Sequence, residues 1–395
     1  MQKATRQDTR AHNAQLIFRA IYGQDEISRA DLARVTGLTR TTVSDVVSEL
    51  LRDGLVAEVG LGKSVGGKPP ILLSVVEDSR VLLGVDLANS EFRGALINLR
   101  GQICHRASLP VRERDGDAAL NLVLELIQSL LSAATRPIAG IGIGTPGLMD
   151  PHKRIVRHAV NLDWRDLPLG DVLEQRFGLP VYIANDSQVA ALGEQVFGEG
   201  RGAANLIVIK AGRGIGAGII LGGQLYYGDG FGAGEIGHVA VVEQGELCRC
   251  GNRGCLETVA SSRAVVNQAR LLARQDPGSI YNRLVSSYEL IDTEVVLRAL
   301  ESGDEGTRAI IDRAGAYLGI AVAYLVGTLN VHRIVLAGSL ARFGPALLEP
   351  VRREFRRRAL GALTADTVVH LSNLGTDIVA LGAAAQVLSN ELGLM

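Results

Sequence analysis

The side chains best suited to chemistry lie in one short stretch, GHVAVVEQGELCRCGNRGCLE, residues 237 to 257. His238, Cys248, Cys250 and Cys255 offer one imidazole and three thiolates. That is a complete tetrahedral set for zinc with no position left for a reactive water, so the expected Zn2+ is structural. Gly251 and Gly254 supply the tight turns that let three cysteines wrap one ion. Reduced thiols packed this closely without a metal would make a poor core and an oxidation hazard. Cys104, alone on a strand pattern, reads instead as a small buried hydrophobe. Four cysteines in 395 residues cannot form a disulfide scaffold, which points to a reducing compartment.

The elements that position this knuckle belong to a long α/β stretch. From Val81 onward, β-branched strand patterns alternate with glycine turns and longer helical patterns. Residues 81–103 and 205–228 share one plan of strand, tight turn, strand and glycine bend, which suggests duplicated lobes. Residues 333–355 read as a buried strand, a glycine turn and a helix, a turn whose backbone N–H groups could meet a ligand. Paired hairpins facing a cleft are the plan of the actin-like fold.

Residues 9 to about 75 read differently, as three short helices followed by two strands around a glycine-rich bend. The first helix spans about Arg10 to Tyr22. Ser28 caps a second, with Asp31 at the capping-box position, and Thr39 caps a third from Arg40 to about Asp53. Val43, Val46, Val47 and Leu50 face inward there, while Arg40, Thr41, Thr42 and Ser44 stay polar, as a recognition helix for base edges requires. Strands at Leu55–Val59 and Ile71–Val75 flank a basic wing carrying Lys63 and Lys68, completing a winged helix-turn-helix. Net charge is only -1 overall, but residues 1–75 hold ten Lys/Arg against eight Asp/Glu. This asymmetry is consistent with a nucleic-acid partner only beside such a motif.

The chain is too long for one ordinary domain, and 47% apolar residues supply real cores. No uninterrupted apolar run approaches the roughly 18 to 20 residues of a membrane helix, and the start lacks a secretory apolar core, so a cytoplasmic protein without membrane insertion is expected.

Glu235-Ile-Gly-His238 followed by Cys-X-Cys-Gly-X-X-Gly-Cys-X-Glu resembles the signature of the ROK family of repressors and sugar kinases, over nearly the whole chain. The resemblance implies an α/β fold class: an N-terminal winged helix-turn-helix (1–76), then a two-lobed actin-like, sugar-kinase (ribonuclease H-like) body. Its first lobe would span 80–196, completed by a C-terminal helix at 380–395, and its second, with the zinc knuckle, 197–379. It also implies a sugar between the lobes, met by Asn185, Asp186, Glu235, His238 and Glu257, with Gly144–Gly147 as another wall. One His238 nitrogen would bind zinc and the other would face the sugar. By itself an Asn-Asp pair after a strand is often just a turn and helix cap.

A kinase of this family would use Asp186 as general base and an Asp-X-Gly-Gly-Thr-Lys hairpin for phosphate. Here the hairpin reads Asp86-Leu-Ala-Asn-Ser-Glu91. Glu91 replaces the lysine, at a cost of about 3 kcal/mol for each phosphate charge near ~5 Å. The expectation is therefore a non-enzyme, a sugar-responsive repressor binding operator DNA as a homodimer or homotetramer. The alternatives are an ATP-dependent sugar kinase and a silent adaptor for a transport protein. Arg213 in the second hairpin could clamp a sugar phosphate. The cluster Arg352, Arg353, Arg356, Arg357 and Arg358 reads as a solvated face or an oligomer contact.

Overall fold

The computed structural model describes residues 6–63, 68–88 and 90–394. The N-terminal head holds α1 (Arg6–Tyr22), β1 (Ile27–Ser28), α2 (Arg29–Thr36), α3 (Arg40–Arg52), β2 (Val56–Leu61) and β3 (Ile71–Val75). Its sheet has the order β1-β3-β2. Ser28 caps α2 by accepting the Asp31 N–H at 3.2 Å, and its hydroxyl donates to the Asp31 carboxylate at 2.7 Å. Asp31 thus closes the box through the hydroxyl, being too short to reach the backbone as a glutamate would. Thr39 caps α3 by accepting the Thr42 N–H at 3.2 Å. Val43, Val46, Val47 and Leu50 are buried beneath it. The middle of the wing, residues 64–67, lies outside the described residues.

The body follows with β4 (Val81–Leu87), β5 (Glu91–Asn98), β6 (Ile103–Pro110), α4 (Gly116–Ala133) and β7 (Ile138–Thr145). A small meander of β8 (Leu148–Asp150), β9 (Ile155–Ala159) and β10 (Trp164–Leu167) leads to α5 (Leu169–Phe177), β11 (Val181–Asn185) and α6 (Asp186–Phe197). The second sheet is built from β12 (Leu206–Ala211), β13 (Ile215–Leu221), β14 (Gln224–Leu225), β15 (Arg333–Ala337) and β16 (Val368–Leu371). The two five-stranded sheets, in orders β6-β5-β4-β7-β11 and β14-β13-β12-β15-β16, share one plan. Each starts with antiparallel strands and continues with two parallel ones. This is the two-lobed plan of the sugar-kinase-like folds, a sheet repeated rather than one sheet enlarged.

Between the sheets lie α6 and the C-terminal helix Ile378–Leu392, sharing a core with Leu206, Val208 and Val335. Their crossing is close because Gly382 has no Cβ: one placed there would sit 1.7 Å from the Val189 carbonyl oxygen. The helix Glu305–Leu329 is long and apolar enough by length and composition to cross a bilayer, but 61% of its apolar window is buried inside the second lobe.

Sequence reasoning missed how firmly the head is joined to the body. Ile17, Phe18, Ile21 and Leu73 of the head form one core with Leu82, Ile97 and Leu99 of the first lobe and with Ala380, Ala384 and Leu388. Tyr22 donates its hydroxyl to the Leu99 carbonyl at 2.6 Å, and Arg100 donates to the Tyr22 carbonyl at 2.6 Å with its guanidinium 4.5 Å from the Tyr22 ring centre. Cys104 departs from expectation in the opposite sense, being exposed. On the edge strand β6 it shares its phase with the exposed Arg106 and Ser108, while Ile103, Ala107 and Leu109 turn inward.

Candidate functional site

Gly254 (φ 72°) makes the knuckle turn where a Cβ would lie 1.8 Å from the Val242 carbonyl oxygen. The Cys248 N–H donates to Asn252 O at 2.7 Å and the Gly251 N–H to Cys248 O at 3.0 Å. Ligand atoms of His238, Cys248, Cys250 and Cys255 consequently lie within 4.8 Å of one another. Nδ1 of His238 is 3.6 Å from Cys248 Sγ, and Cys250 Sγ is 3.7 Å from Cys255 Sγ. A tetrahedron of zinc bonds has S–S edges of about 3.8 Å and N–S edges of about 3.6 Å, so these two distances match such an ion. The Asn252 N–H lowers the Cys250 thiol, whereas burial raises that of Cys255. A cation offsets the cost of a buried thiolate.

His238 turns its other nitrogen away from the cysteines, and Nε2 lies 4.0 Å from Glu235 Oε2. Burial raises the Glu235 carboxyl, with His238 lowering it and Asp186 and Glu257 adding repulsion. Three of the sequence-predicted carboxylates therefore share one field. Glu257 is anchored to the second hairpin: Oε2 accepts the Ile215 N–H at 3.2 Å, and Arg263 stands 3.5 Å from Oε1.

Asn185 does act as a helix cap. Its Oδ1 accepts the Ser187 N–H at 2.8 Å, and its Nδ2 donates to Gly147 O at 3.0 Å, tying α6 to the loop after β7. Its oxygen also takes part in a capping box with Gln188, so one side-chain N–H remains for a ligand. Asp186, beside it, accepts a 2.8 Å bond from Lys210 Nζ on β12 of the second lobe and a 3.2 Å bond from Ser187 Oγ. Burial opposes the Lys210 charge, yet Asp186 and Asp86 together raise its pKa.

Lys210 is a neighbour of the predicted site residues that sequence reasoning missed. So is the aromatic cluster of His152, Tyr227 and Phe231, whose ring centres lie 5.7 to 6.5 Å apart. Phe231 has φ 61°, a rare conformation for a bulky residue, and its carbonyl is held at 3.2 Å by Gln188 Nε2. Gln188 also accepts the Asn185 N–H at 3.4 Å, which links this aromatic wall to the Asn-Asp pair.

The first hairpin differs from expectation in its charge. Glu91 accepts from Arg93 Nε at 2.9 Å and from Ser108 Oγ at 2.7 Å, and these bonds lower its carboxyl. With a cation so near, Glu91 repels an approaching phosphate less than an isolated carboxylate. Arg213 is exposed at the tip of the second hairpin. The arginine cluster is largely committed: Arg352 to Glu349 and the Val369 carbonyl, Arg353 to Asp312, Arg357 and Arg358 to Glu354.

On the head, Arg40, Thr41 and Ser44 are exposed along α3, and Thr42 is half-buried with its hydroxyl 2.9 Å from that of Thr39. Lys63 and Lys68 are exposed at the two ends of the wing.

Residues 82–390 match the ROK family, and residues 12–57 match the winged helix-turn-helix DNA-binding family. The chain is 35% identical to the xylose repressor of Caldicellulosiruptor bescii, over 96% of each chain. It is 33% identical to the glucokinase of Halalkalibacterium halodurans, over 79% of this chain and 96% of that one. A solved ROK family transcriptional regulator, a homolog of the Escherichia coli MLC protein, superposes with a TM-score of 0.85 at 28% identity over 98% of both chains. With the family covering most of its length and a DNA-binding head before it, the chain belongs to the ROK family.

Proposed function

We propose that this protein is a sugar-responsive transcriptional repressor that reads operator DNA through α3 and the wing and binds its effector between the lobes. The observation that carries this reading is the union, in one packed body, of a winged helix with the ROK fold. The repressor relative matches along the head as well, whereas the glucokinase relative spans only 79% of the chain. Arg40, Thr41, Thr42 and Ser44 would lie along the major groove, with Lys63 and Lys68 near the backbone or minor groove. A symmetric homodimer or homotetramer would present two such helices to two half-sites.

Asn185, Asp186, Glu235, His238 and Glu257 form the proposed receptor for sugar hydroxyls. Zn2+ held by His238, Cys248, Cys250 and Cys255 would serve as a brace: all four positions are protein ligands, so it fixes the imidazole and the start of the helix bearing Glu257. Movement in the cleft has a solid route to the head. The C-terminal helix crosses α6, which begins at Asp186, and Gly393 just beyond it lies against Gln15 of α1. A few kcal/mol of differential sugar affinity between two lobe arrangements would suffice for the switch.

The alternative, an ATP-dependent sugar kinase with Asp186 as general base, is favoured by the glucokinase match. Against it stands Lys210, whose ammonium holds one oxygen of the carboxylate that would take the sugar proton. The two readings separate in paired assays. Operator retardation by the full chain, changed at least about tenfold by one sugar of a pentose and hexose panel, is expected of the repressor. Sugar- and ATP-dependent turnover near the usual kinase range of about 1–100 s−1 would overturn it.

A further inference from the structure

Asp86 is an unusual residue to find at the end of β4. It is only 6% exposed, and its Oδ1 has no hydrogen-bond partner among the described residues. An isolated buried carboxylate is costly unless a cation or a proton offsets it. The charges acting on Asp86 are those of Lys210, Asp186, Arg93 and Asp377. Arg93 is bonded to Glu91 and Asp377 to Arg106. Lys210 is therefore the cation left to serve this corner, and it serves two carboxylates: Asp186 by direct contact and Asp86 through the field. The three side chains come from both lobes, Asp86 on β4, Asp186 at the start of α6 and Lys210 on β12.

Asp86 and Asp186 stand at the same end of the strands that flank β7, Asp86 paired with Gly144 and Asn185 with Thr145, and carboxylates gathered at one end of a sheet attract a hard divalent cation. We infer that Lys210 is a built-in replacement for that cation: its ammonium, bonded to Asp186 beside the unpartnered Asp86, leaves the cleft open to an uncharged polyol and closed to a metal-bound phosphate. The choice of polyol rests on the repressor reading above, but the exclusion of metal does not. Burial pushes the Asp86 carboxyl up to about 7, in keeping with one ammonium shared between two acids. Lys210 is a positioning residue in this scheme. It holds Asp186 by one oxygen, leaving the other to Ser187 and to a ligand.

The test is Mn2+ binding to the zinc-loaded full chain at pH 7.5, followed by electron paramagnetic resonance of the free ion. The wild-type chain is expected to show no saturable cleft site up to millimolar Mn2+. Lys210→Met and Lys210→Gln should each gain one site per chain, at least about tenfold tighter than any wild-type binding, because two carboxylates then lack a partner. Lys210→Arg should restore exclusion, and Lys210→Met combined with Asp86→Asn should lose the gained site. Were the methionine variant poorly folded, Mn2+ should raise its melting temperature; absence of that rescue counts against the inference. Equal Mn2+ affinity in wild type and both removal variants, or no gain in either, overturns it. Failure of the wild-type chain to bind any sugar of the panel would instead strike the repressor reading and leave the Mn2+ result standing.

Discussion

Replacing Arg100 by alanine should loosen the head from the body without touching either site. Arg100 is half-buried at the turn between β5 and β6, and it donates to the Tyr22 carbonyl at 2.6 Å. A bond from a charged donor contributes about 1.5–3 kcal/mol. Its guanidinium over the Tyr22 ring adds about 0.5–1 kcal/mol, while the 3.4 Å contact to Gln24 O is too long to count. The seam should therefore lose about 2–4 kcal/mol, which is about 30- to 900-fold in an opening equilibrium. Amide hydrogen exchange reads this at the Leu99 N–H, bonded to Glu77 O where the chain leaves the head. It should exchange faster by that factor when opening and closing outpace exchange, while amides of β12 stay as they were. Acceleration of less than about threefold, worth only ~0.7 kcal/mol, would refute the claim that this residue clamps the head. The same variant should blunt the sugar effect on operator binding, because a loosened head no longer follows the lobes.

Purified chain should release one zinc on thiol modification, measured with a chromogenic chelator, and Cys255→Ser should abolish that release and weaken sugar binding. A metal-free native chain would remove the brace from the scheme. Lys63→Ala and Lys68→Ala should each reduce the slope of log operator affinity against log salt by about 1, whatever the operator sequence; an unchanged slope places the wing away from phosphate. Thr39→Ala removes the acceptor for the Thr42 N–H and should cost about 1 kcal/mol, read as faster exchange in the first turn of α3. For Asp86, burial raises the folded-state pKa from 3.8 to about 7. Its folded state binds the proton more tightly, so its stabilising contribution is full below about pH 4 and is lost as pH rises toward 7. Asp86→Asn should flatten the fall in melting temperature across that window, and an unchanged profile would count against the burial argument.

What could be read from the residues was whatever is settled within a few turns of chain. The knuckle is local, since its three cysteines fall within eight positions and their turns need only Gly251 and Gly254. The head is local too, because Ser28 and Thr39 announce the starts of α2 and α3 by capping chemistry that acts over three residues. Cys104 was misjudged although its surroundings held the answer: alternation along β6 places it with Arg106 and Ser108 on the exposed side. Lys210 was illegible for a different reason. A lysine on a strand ordinarily reads as solvated, and its partners stand 24 residues back at Asp186 and on another sheet at Asp86. Only the meeting of two lobes makes it a counter-ion. The same holds for Arg100, whose role exists because a 78-residue separation closes onto Tyr22. These long-range pairs bear on function most directly, since a sensor must tie a cleft to a head. Among them are an ammonium beside the proposed sugar carboxylate and a guanidinium against Tyr22 at the end of α1, both ordinary surface types until the fold places them.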